Sequence, residues 1–172
     1  MRRQIRLGIR PALLLAASLF TFATEAAAMS PTMSPLLFFQ RIERVGLLCA
    51  VDAEDGPAAD LGDDALCGRA AAVLSGLLAS GPAVAVLAPN DARIADAGTL
   101  LLLVHATLRP DDGKRLLSLA ATLQRSGSVG GPPFFMLPPQ ALFLSGKLEE
   151  SLLESRLRRL LTPLAKALRA NP

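Results

Sequence analysis

Two alternating runs of side chains meet at one tight turn, and this pattern limits the fold more than any other stretch. Residues 99–109 and 114–125 flank Pro110-Asp111-Asp112-Gly113. Proline presets φ, the carboxylates bond nearby amides, and glycine accepts positive φ, so the segment is a hairpin turn. Pairing Arg109 with Lys114 sets a register. It places Leu100, Leu102, Val104 and Ala106 on one face with Leu123, Ala121, Leu119 and Leu117. The opposite face carries Thr99, His105 and Thr107 beside Thr122, Ser118 and Leu116, so His105 stands across from Ser118. One apolar face and one mixed face describe an antiparallel pair covered on a single side. The rest of the chain must supply the cover.

It has the elements to do so. Val45, Leu47, Cys49 and Val51 alternate with smaller or polar neighbours, giving a strand over 42–51. Asp63 or Asp64 then caps a helix over 65–80, whose stripe is Leu66, Ala70, Val73, Leu74, Leu77 and Leu78 and which Gly81-Pro82 stops. A second strand follows at 83–88. After the hairpin, 126–133 is a break, and FFMLPPQALFLSG is a last strand distorted at Pro138-Pro139. Residues 147–168 form an amphipathic helix lined by Leu153, Leu157, Leu160, Leu164 and Leu168, with a kink expected at Thr162-Pro163. The expected order is β-α-β-β-β-β-α. It packs as an α/β two-layer sandwich, a four- to five-stranded mixed sheet with both helices on one face.

The N-terminus has a different character. Arg2, Arg3, Arg6 and Arg10 precede an apolar run from Ala12 to Ala23, and Ala26-Ala27-Ala28 closes it. A basic start, a short greasy stretch and an A-x-A end make a cleavable secretory signal over 1–28. The run falls short of the roughly 20 residues a bilayer span needs, so no stable membrane span is expected after cleavage. Residues 29–41, with their M-S-P repeat, are an extended leader, and 42–170 are one domain. The formal charge of +3 belongs to the signal, because without residues 1–28 basic and acidic residues are equal in number. Nucleic acid is therefore not an expected partner. The expected location is the periplasm. An even pair of cysteines in an exported chain reads as a disulfide, Cys49–Cys67, closing a loop with six acids.

Candidates for chemistry are few. His105 is the sole histidine, so a histidine-based metal site has no second ligand, and a serine–histidine pair with Ser118 lacks an elbow turn and a third member. The acidic loop fails as a calcium site because Pro57 stands where the turn glycine belongs. No catalytic residue, metal or cofactor is assigned, and the chain is expected not to be an enzyme. Two surfaces stand out. Phe134, Phe135, Met136 and Leu137 lie between proline pairs, read first as an edge strand whose Phe134 or Phe135 plugs the core and otherwise as an apolar interaction loop. His105, Thr107 and Ser118 mark the mixed sheet face as a ligand surface.

The element order over 42–168, with the stretch from Ala83 through the Thr99–Arg125 hairpin, resembles the small α/β domain of several bacterial envelope proteins. These are the N-terminal domain of the translocation protein TolB, curli-export lipoproteins and outer-membrane activators of peptidoglycan synthases. The chain differs from the lipoproteins in lacking a lipid-attachment cysteine, and no motif transfers. The resemblance implies a non-enzymatic accessory role, in which the domain binds another envelope protein or itself. The alternative is a periplasmic small-ligand binder using the face around His105.

Overall fold

The computed structural model describes residues 37–54, 61–126 and 137–171. Its elements are β1 (Arg44–Ala53), α1 (Asp63–Leu77), β2 (Ala83–Val86), β3 (Thr99–Asp111), β4 (Lys114–Arg125), β5 (Gln140–Leu144) and α2 (Glu150–Ala170). Two short 3₁₀ turns, Leu37–Phe39 and Ala92–Ala95, accompany them. The strands form one mixed sheet in the order β2-β1-β3-β4-β5. β1 is parallel to both β2 and β3, and β4 is antiparallel to both β3 and β5. The expected α/β fold, sheet and element order are therefore those observed.

The hairpin forms, but two residues out of the expected register. Asp111 pairs with Lys114, Arg109 with Leu116, and His105 with Ala120 rather than Ser118. The reason is the turn. Asp112 and Gly113 both sit at positive φ (46° and 74°), the signature of a two-residue type I′ loop, whose twist matches that of the strands. Asp111 and Pro110 thereby become strand residues. In such a hairpin the closing pair is the hydrogen-bonded one, so Pro110 opposite Arg115 falls in a position that asks no amide of it. A slip of two leaves every side chain on its face, so the division into apolar and mixed faces stands.

The apolar face is the core. Val45 and Leu47, Leu100, Leu102, Val104, Ala106 and Leu108, Leu117 and Leu119, and Leu142 and Leu144 pack beneath the two helices. α1 contributes Leu66, Ala70, Val73 and Leu74, and α2 contributes Leu153, Leu157, Leu160, Leu161, Leu164 and Leu168, each at helical spacing. Full burial of one leucine contributes about 1.5–3 kcal/mol, so these stripes hold the two layers together. Arg69 of α1 and Glu150 of α2 form an ion pair at the helix surface. α2 continues through Pro163, with Thr162 Oγ1 donating to the Arg158 carbonyl at 2.6 Å.

Two local details depart from expectation. Phe38 and Phe39 lie in the core, edge to face with each other, so the last residues assigned to the leader are part of the fold. Arg125 holds them there, donating to the carbonyls of Leu37, Phe38 and Ala97 at 3.1, 2.8 and 3.0 Å. At the start of α1 the cap position is Gly62, and Asp63 does not cap. Its carboxylate instead accepts from the Val51 amide at 2.8 Å. Short β2 reaches only Leu47, which leaves the Val51 amide at an open strand edge, and Asp63 satisfies it. Among the described residues no helix is long and apolar enough to cross a membrane.

Candidate functional site

With both helices on one face, the other face of the sheet has no helix over it among the described residues, and its side chains from Leu48 to Phe143 are half-buried or exposed. Strand registers define its rows. Leu48 pairs with Leu103, and Leu103 with Thr122. Ala50, His105 and Ala120 form the next row, then Asp52, Thr107, Ser118 and Ala141. Beyond them Arg109 lies beside Leu116, which pairs with Phe143 on the edge strand. The surface thus carries alanines and polar side chains in the middle, with leucines at one end and a leucine–phenylalanine pair at the other. Phe143 is 59 % exposed, unusual for a large aromatic in a chain with so few of them.

Charge borders this face. Arg109 donates to Asp52 at 2.6 Å and lies 3.6 Å from Glu54, bridging the end of β1 to β3. The Arg109 hydrogen bond and charge hold the Asp52 carboxyl below its usual range, and the same bond pushes the guanidinium up. At the opposite corner the face is closed. Leu87 and Leu101 are buried there, and a methyl group on Gly46 would collide with Leu87 Cδ1. Gly46 is therefore small so that Leu87 can lie flat across β1. The loop that follows is held by Asp91, which accepts from both the amide and the side chain of Arg93 and has its carboxyl lowered to about 2 by those bonds.

The residues named from sequence fall in different places. His105 is exposed, with alanines as both direct cross-strand neighbours, while Thr107 and Ser118 pair with each other. The three share one face, yet His105 and Ser118 are not opposed. Of the interaction loop, Phe134, Phe135 and Met136 lie outside the described residues, and Leu137 is buried at 8 % exposure. Cys49 and Cys67 are joined, with Cα atoms 5.5 Å apart, tying β1 to the first turns of α1. Among the described residues no three histidine, cysteine, aspartate or glutamate side chains gather as a metal site. Sequence reasoning missed Phe143 and Leu116 as a pair. The signal was present, because both fall on the mixed face once the β4–β5 register is known.

No family model matches the chain, and no curated protein does. Among solved structures it is similar to a PelC dodecamer from Paraburkholderia phytofirmans, with 16% identity and a TM-score of 0.49 over 72% of this chain and 89% of that one. The L103M dodecamer of the same protein gives 16% identity and a TM-score of 0.47 over 72% and 90% of the two chains. These are different proteins from the envelope domains whose element order the sequence resembles. The overlap is partial, and no residue, assembly or activity is transferred from it.

Proposed function

We propose that this chain is an exported, non-catalytic accessory domain of the bacterial cell envelope, which works by docking its helix-free sheet face on another envelope protein or on a copy of itself. The observation that carries this reading is the pair Leu116–Phe143, apolar and cross-strand, at the rim of a sheet face that α1 and α2 do not cover. Exposed aromatics of this kind are the usual anchors of protein interfaces. The export signal and the Cys49–Cys67 bridge support an oxidising compartment. Non-catalysis is supported by the setting of His105, whose flanking alanines offer neither a nucleophile nor an orienting acid in register.

Sedimentation of the purified chain, together with capture from envelope extract, tests the proposal. The expected result is self-association or one recovered envelope partner, lost in Phe143→Asp with the melting temperature lowered by no more than about 4 °C, the cost of one half-exposed cross-strand pair. A chain that stays monomeric at high concentration and recovers no partner, or a Phe143→Asp variant that associates like the parent, would refute it.

A further inference from the structure

A cleft of about 360 Å³ opens where the residues preceding β1, the turn after α1 and the end of α2 converge. Its volume is within the range of about 300–1,000 Å³ typical of small-molecule sites. Ile42, Pro82 and Leu168 form an apolar floor, and Arg41, Arg169 and Ser80 are its polar lining residues. Phe39, which also borders the cleft, is fully buried and offers a ligand no surface of its own. The two arginines come from segments far apart in sequence. Neither has a carboxylate or carbonyl partner among the described residues, whereas Arg44, Arg69, Arg93, Arg109, Arg125 and Arg158 all do.

The backbone at Arg41 adds a second, independent observation. Its φ is +55°, a left-handed conformation that an arginine side chain does nothing to favour. The 3₁₀ turn before it, closed by the Gln40 amide on the Leu37 carbonyl, and the buried Phe39 ring fix the chain there. A conformation suited to glycine or asparagine is thus occupied by a cation at the mouth of a cleft that already holds another.

From this convergence we infer that the cleft is a binding site for an amphiphilic anion, a phosphate monoester or carboxylate on a hydrocarbon body. The anionic group bridges Arg41 and Arg169, with the Ser80 hydroxyl as a further donor, and the hydrocarbon lies on Ile42, Pro82 and the exposed edge of Leu168. Charge-assisted bonds to guanidinium are the strong kind, and the apolar floor selects against fully hydrated anions. The site is independent of the docking face proposed above, and either reading can fail alone.

Octyl phosphate below its micelle concentration is the probe, with inorganic phosphate and octyl glucoside as controls. Binding is followed through the arginine side-chain signals in NMR spectra of the full chain. Octyl phosphate should shift the Arg41 and Arg169 signals saturably, and both controls should bind at least about tenfold more weakly. Arg41→Asn, whose new side chain tolerates positive φ, and Arg169→Gln should each lower the affinity about tenfold while leaving the melting temperature intact. Phosphatidylglycerol vesicles, captured by the parent and not by the two variants, would assign the anion to a lipid headgroup; binding of octyl phosphate without vesicle capture would assign it to a free ligand. Equal binding of octyl glucoside, or parental affinity in both variants, overturns the site.

Discussion

Opening the Cys49–Cys67 bridge is the perturbation whose size follows most directly from the structure. The bond joins residues 18 apart. Loop-closure entropy for a ring of that size is worth about 3 kcal/mol at 25 °C in the chain-entropy model. In a folded unit of this length, that loss lowers the melting temperature by about 10 °C. Reduction leaves both sulfur atoms in place, so it isolates the cross-link from packing. Thermal unfolding followed by circular dichroism, with and without a thiol reductant, should show the full shift in the parent. The Cys49→Ala/Cys67→Ala variant should melt near the reduced parent and ignore the reductant. A shift below about 3 °C, with reduction verified by intact mass, would refute the reasoning. It would mean that residues 50–66 are restricted even in the unfolded chain, leaving the bridge little entropy to remove.

Other perturbations have equally definite outcomes. Gly113→Ala, at φ +74°, should cost about 1 kcal/mol in denaturant titrations, because alanine resists the left-handed region. Arg125→Met removes three bonds to carbonyls and should cost about 1–3 kcal/mol, with faster hydrogen exchange at the Gln40 amide, which closes the turn that Arg125 secures. The Asp91 carboxyl, lowered to about 2 by Arg93, stabilises the fold above the ordinary carboxylate pKa of about 4, and that contribution disappears as pH falls toward 2. Asp52, lowered by Arg109, acts in the same direction. Carboxyl NMR titration should find both below the usual range, and Asp91→Asn should flatten the acid limb of stability between those limits.

What could be read from the sequence was whatever repeats over a short distance. The faces of β3 and β4 were legible because alternation has period two, and a slip of two residues does not disturb it. The register itself was not, since it depends on Asp112 adopting positive φ, and aspartate does so in only some turns. The cystine was legible from residue count and compartment. The pairing of β1 with β3 was not, because no local pattern reveals which strand will lie beside Arg44–Ala53. Phe38 and Phe39 were lost among prolines that erase periodicity, and the clasp made by Arg125 shows in sequence only as a basic residue at a strand end. The proposed docking face was half legible. Its His105, Thr107 and Ser118 stood out as polar residues, while Phe143 gained its meaning only beside Leu116.

The place of β1 between β2 and β3 has a kinetic consequence. Cys49 and Cys67 are near neighbours along the chain, and β3 and β4 meet across a two-residue loop, so each of these units can form by closing a short distance. The bond between them is long-range: Arg44 must find Thr99, and nine further residues must follow in step. Folding should therefore be the collision of two preassembled halves, a cross-linked strand–helix unit and a hairpin, with their zippering along Arg44–Ala53 as the slow event.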